Sequence, residues 1–151
     1  MRLAIAPGDI FLYSGTSLVD DIIRVGTLST FNHVAVVMPG SQSLVQALPE
    51  GVGIAPLGNK GPAWHVSTCL AWSHAASAFV KSVVGEPYSY LNDLVAGLGF
   101  GPITDSAWEC AQLGAKILSI LGCDIGKDCD TPQKVAAFLA TRGNLFQYIT
   151  F

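Results

Sequence analysis

The sequence predicts one α+β domain, and three observations predict it. A chain of 151 residues suits a single domain with a sizeable core. Half of its residues are hydrophobic and only 13% are charged, against about 25% in an average soluble domain. That balance fits a compact, well-covered core, or some apolar surface kept for a partner. Short β-branched segments and longer segments of helical periodicity both occur, with no internal repeat, low-complexity tract or linker between them. The expected domain spans residues 1–151.

The elements follow in order. "GDIFLYSG" is a short strand after a Pro-Gly turn. "TSLVDDIIRVGT" reads as a helix with Thr16 or Ser17 as its cap, Leu18, Val19, Ile22 and Ile23 on one face, and Gly26 as its stop. "HVAVVM" is short, β-branched and bounded by "PG", and "SLVQAL" comes straight after, so the two form a hairpin. "GVGIAPL" and "AWHVSTCLA" are further strands, and "SHAASAFVKSVVG" is a helix with Gly85 at its end. A Gly-rich stretch follows, with a short helix from Leu91 to Leu98. "SAWECAQLGAKILSILG" is an amphipathic helix with Leu113, Ile117, Ile120 and Leu121 at helical spacing. "TPQKVAAFLAT" is another, with Thr131 as cap and Pro132 at the first helical position. "NLFQYITF" closes the chain as a strand.

Composition excludes several classes of function. The formal charge is −3 and lysines and arginines are scattered singly, which leaves no electrostatic footprint for nucleic acid. No run of about 20 apolar residues is present, so no transmembrane helix is expected. The start "MRLAIAPGDIF" has too short an apolar run for a secretory signal. Synthesis in the cytoplasm is expected, with virion association or a dedicated secretion route if the protein leaves its cell. Cysteines stand at 69, 110, 123 and 129. No close-spaced disulfide framework appears, and the six-residue step from Cys123 to Cys129 is wider than a zinc knuckle and lacks a second ligand pair. Neither a metal nor an organic cofactor is expected.

Cys110 lies in the first turn of its helix. There the unpaired backbone N–H groups and the positive end of the dipole favour an anion, and a thiolate is one. A small core residue is the alternative, since free cysteine packs well. Of the three histidines, His74 reads as a half-exposed surface residue inside a helix, and His65, beside Trp64, as packed or hydrogen-bonded. His33 opens the strand "HVAVVM", and the hairpin gives it a neighbour. With a two-residue Pro39-Gly40 turn, His33 faces Gln46 directly; with a turn two residues longer, Gln46 faces Ala35 and still shares the face of His33. Either register sets an imidazole beside a side-chain amide, as a catalytic histidine requires. A satisfied structural pair is the alternative.

The order "PGDIFLYSG", "STFNHVAVVMPG", "LVQALPEGVGIAPL", "VGEPYSYLND", "WECAQL" resembles the NlpC-type papain-like superfamily in circularly permuted form, in the branch typified by YiiX. The likeness runs from Pro7 to Leu113, and "TPQKVAAFLA" is similar to the helix that often follows. In the unpermuted family the nucleophile motif comes first; here the G-D strand, the H-V strand and the A-x-x-x-G-V-like segment precede it.

The resemblance implies a permuted papain-like fold, with a small antiparallel sheet or half-barrel packed against helices and the nucleophile at a helix N-terminus. It implies Cys110 as nucleophile, His33 as general base, Gln46 as the orienting residue and Tyr88 near the reacting carbonyl. Relatives commonly carry Glu or His at the position of Gln46, and Ser then Gly or Glu where this chain has Ala111 and Gln112. Asp9 reads as a turn residue without chemistry. Arg24 is a candidate for a substrate carboxylate, or an exposed arginine near a helix C-terminus.

The activity implied is a cysteine peptidase or amidase acting on bacterial peptidoglycan peptide. Two alternatives stand beside it. One is an acyl hydrolase or transferase on lipid or lipidated protein, by likeness to the relatives of lecithin:retinol acyltransferase. The other is a non-catalytic binding or virion structural module.

Overall fold

The computed structural model describes residues 3–14, 30–40, 42–87, 109–126 and 129–151. Within them, nine elements form one antiparallel sheet and three helices. The strands are β1 (Ile10–Tyr13), β2 (His33–Val37), β3 (Ser43–Leu48), β4 (Gly51–Pro56), β5 (Ala63–Ser67) and β6 (Leu145–Ile149). The helices are α1 (His74–Val83), α2 (Cys110–Ile120) and α3 (Pro132–Thr141). The sheet order is β4-β3-β2-β1-β5-β6. The helices expected between Thr16 and Gly26 and between Leu91 and Leu98 lie outside the described residues.

Strand chemistry explains the layering. In β1, Ile10 and Leu12 join the core beneath the helices, while Phe11 and Tyr13 join a smaller cluster on the opposite face. In β2, Val34 and Val36 face the helices, and Ala35 and Val37 face away. Both strands are buried on both faces, which is why their sequences are nearly unbroken apolar runs rather than alternating ones. The helix face is closed by Leu113, Ile117 and Leu118 of α2 with Val135 and Leu139 of α3. The face of α2 differs from the expected one: Leu118 is fully buried, while Ile120 and Leu121 are only half-buried. The buried stripe runs through Cys110, Leu113, Gly114, Ile117 and Leu118 because α2 packs against β2 and β3.

Local signals account for the ends. Ser73 Oγ accepts from the backbone N–H of Ala76 at the start of α1. Thr131 does the same for Lys134, with Pro132 at the first turn of α3. His74 is therefore the first residue of α1 and exposed, not an interior helical position. Strand β5 ends at Ser67, two residues short of Cys69, because the chain turns there: Cys69 has φ +56° and Thr68 Oγ1 donates to Gly8 O at 2.9 Å. At the other edge, Gly51 takes φ +115°, and a Cβ there would stand 2.6 Å from the Glu86 carbonyl oxygen. Only glycine admits that approach, which lets Val52 N–H bond Glu86 O and fixes the end of α1 to β4.

Asp9 does more than turn the chain. Its buried carboxylate accepts from Ala6 N–H at 2.8 Å, Thr68 N–H at 3.0 Å and His65 Nε2–H at 2.8 Å. His65 is fully buried, hydrogen-bonded and stacked on Phe11, as a packed histidine should be.

Candidate functional site

The site begins with the hairpin. Strands β2 and β3 pair with Ala35 opposite Gln46, which is the longer of the two expected connections. Met38 N–H bonds Ser43 O across it. Since side chains alternate along a strand, Gln46 lies on the face of His33, diagonal to it. The two meet: His33 Nε2 and Gln46 Oε1 are 2.7 Å apart. The amide oxygen can only accept, so Nε2 carries the proton and donates. In the neutral ring, Nδ1 is then the basic nitrogen. His33 is 5% exposed and Gln46 is fully buried, so the bond is shielded from competing water.

Cys110 reaches this place by helix packing. Cys110 and Gly114 lie one turn apart on the same face of α2. Gly114 rests on Val34, where a Cβ would meet Val34 Cγ1 at 2.9 Å. One turn earlier along α2 corresponds to a shift back along β2, and Cys110 Sγ lies 3.9 Å from the backbone carbonyl of Asn32. The cysteine is thus buried beside the residue that precedes His33, at the first position of a helix. The helix dipole there favours a thiolate over a thiol.

Of three further neighbours, Glu109 and Tyr13 carry no sequence signal of such a site, and Asn32 stands in sequence, with Glu50, only as an alternative orienting residue to Gln46. Glu109, the N-cap of α2, is fully buried and its side chain makes no capping bond. Asn32 is buried, and its N–H bonds Tyr13 O. Tyr13 is the cross-strand partner of His33, with ring centroids 5.8 Å apart and planes tilted by 45°. The pairing of β1 with β2 brings Tyr13 in, and no short-range signal announces that pairing. Tyr88 and Arg24 lie outside the described residues.

Among the described residues, no group of three or more His, Cys, Asp and Glu side chains is arranged to hold a metal ion, and none of the four cysteines is in a disulfide. No described helix is long and apolar enough to cross a membrane.

An antiparallel six-stranded sheet covered on one face by three helices defines the architecture as YiiX-like α+β. The crystal structure of the metalloprotein YiiX from Escherichia coli O157:H7 is similar over 87% of this chain and 78% of that one, with a TM-score of 0.58 and 20% sequence identity. No protein-family model matches the sequence, and no curated protein matches it significantly.

Proposed function

We propose that the chain is a thiol hydrolase in which Cys110 is the nucleophile, His33 the general base and Gln46 the residue that holds the imidazole. The observation that carries this reading is the buried 2.7 Å bond between His33 and Gln46, together with a helix-start cysteine whose Sγ lies 3.9 Å from the backbone carbonyl of Asn32, the residue before His33. It fixes one ring nitrogen and the tautomer, and leaves the other nitrogen as the base. The five sequence blocks in permuted papain-like order support the same assignment.

The proposed chemistry uses these groups alone. Cys110, deprotonated by His33 and favoured as an anion by the helix N-terminus, attacks an acyl carbonyl and forms a tetrahedral oxyanion. The Cys110 backbone N–H and Tyr88 are the proposed donors to that oxyanion. Collapse expels the leaving group with the proton from His33 and leaves a thioester. Water, deprotonated by His33, then attacks the thioester; its collapse releases the acid and restores the thiol. The substrate proposed is a peptide amide of bacterial peptidoglycan, with Arg24 proposed to meet one of its carboxylates.

The first test is thiol reactivity. Iodoacetamide should alkylate Cys110 faster than Cys69, although Cys69 is exposed and Cys110 is 2% exposed. Accessibility alone predicts the reverse order. Purified peptidoglycan incubated with the protein and read by mass spectrometry should show new peptide termini, and Cys110→Ala should abolish them while leaving the circular dichroism spectrum unchanged. Hydrolysis of lipid esters or amides in place of peptidoglycan would transfer the assignment to the acyl-hydrolase class. Slow alkylation of Cys110 with no turnover in either assay would leave a binding module.

A further inference from the structure

The hydroxyl of Tyr13 is buried and has no hydrogen-bond partner among the described residues. The residue is 2% exposed, and its ring packs against those of Phe11 and His33. Phenylalanine would fill the same space and bury no polar atom. A hydroxyl left unsatisfied at such a place costs stability and calls for a partner that the described residues do not supply. Burial also pushes the phenol pKa well above its ordinary value, so the group stays protonated and can donate at any working pH.

Its place narrows what that partner is. Tyr13 stands directly opposite His33 in the β1–β2 register, on the same face of the sheet, while Gln46 holds the imidazole from β3 on the other side. The amide nitrogen of Gln46 is likewise buried, with no acceptor among the described residues. The strands on either side of the imidazole thus each carry an unmatched group able to donate. An acceptor oxygen complements them, and a carbonyl or carboxylate of an acyl substrate provides one. His33 is itself only 5% exposed and its ring packs against that of Tyr13, so a ligand that reaches the imidazole meets the phenol beside it.

We propose that the Tyr13 hydroxyl is a substrate-binding donor of this site, hydrogen-bonded to an acceptor oxygen of the bound acyl compound. This rests on the thiol-hydrolase reading for the identity of the ligand. It goes beyond that reading in assigning a role to a strand residue outside the Cys110, His33 and Gln46 set.

The test uses Tyr13→Phe, which keeps the ring and removes the oxygen. Without ligand, the variant should melt about 3 °C higher, because an unsatisfied buried hydroxyl is gone. In the Cys110→Ala background, which cannot turn over, binding of a synthetic peptidoglycan stem tetrapeptide by calorimetry should weaken by about tenfold. With Cys110 present, iodoacetamide should alkylate it at the wild-type rate, since Gln46 still holds the imidazole. Equal affinity of the Tyr13→Phe and Tyr13 chains for the peptide would overturn the proposal, as would failure of both to bind it. Alkylation of Cys110 keeps the two readings apart: a fast rate alongside equal affinity sinks only the role of Tyr13, whereas a slow rate removes the hydrolase itself.

Discussion

At position 46 a neutral amide stands where a charge could have been. Gln46 accepts a hydrogen bond from His33 without offering a negative charge to an imidazolium. A hydrogen bond to a charged partner contributes about 1.5–3 kcal/mol, against about 1 kcal/mol for a neutral pair. Gln46→Glu should therefore favour the thiolate–imidazolium pair, keep activity and widen the pH–rate profile at both limbs, the two titrations being coupled. Gln46→Ala should lower kcat/KM by about tenfold or more, because the ring is freed to turn and its base is lost from position. A wild-type rate in Gln46→Ala would show that the orienting group lies elsewhere. The pair was legible because strand alternation put both residues on one face in either register. Tyr13 was not, since its contact depends on how β1 pairs with β2 across a long connection rather than on any spacing within either strand.

Among the elements, α2 has the narrowest tolerance. Replacing Gly114 by alanine gains about 1 kcal/mol of helix propensity. The new Cβ would also stand 2.9 Å from Val34 Cγ1, on a β-branched side chain that is 1% exposed and cannot swing aside. Overpacking of that kind costs about 1–3 kcal/mol, so the clash outweighs the propensity. Gly114→Ala should lower the denaturation midpoint and, by lifting α2 from β2, slow the alkylation of Cys110. A rise in stability would show that the two elements have room between them. The helices themselves were readable from Ser73, Thr131 and Pro132, whose caps form as their types require. Which face of α2 would be buried was only half readable. Ile120 and Leu121 have the spacing of a core stripe, but α2 seats Gly114 and Leu118 on the sheet, and the packing partner decides the face.

Over the whole molecule, the fold class and all six strands were visible in the sequence, but the order of the strands was not. That β1 lies between β2 and β5, and that β6 joins the far edge of β5, depends on pairings between segments far apart in sequence. Asp9 shows the cost of missing them: it looks like a turn residue until β5 brings His65 and Thr68 to its carboxylate. Stability at high pH is a property of this same assembly. The Tyr13 phenol ionises near pH 10 in an unfolded chain, but its pKa is raised in the folded one by desolvation. Above about pH 10 the unfolded chain releases a proton that the folded chain retains. The contribution is therefore complete below that pH and is lost as pH rises toward the folded value. Thermal melts of wild type and Tyr13→Phe should diverge further above pH 10 than at neutrality, with the wild type losing more. A constant separation across that range would mean that the phenol titrates alike in both states.

The separation of contacts along the chain also sets an order in time. His33 and Gln46 are 13 residues apart, within one hairpin, whereas Cys110 and Asn32 are 78 apart. Closing the longer loop costs about 1.6 kcal/mol more chain entropy, by the logarithmic dependence on length. Local pairs of this kind form early in folding and distant ones late, because distant contacts must first overcome that entropy. The imidazole and its amide are therefore expected to come together while α2 is still undocked, so that the thiol meets the proposed base already held in place. A nascent chain in which β4 has just emerged carries the proposed base and its holder but not the proposed nucleophile, so the reactivity proposed for Cys110 is expected only with the closing steps of assembly.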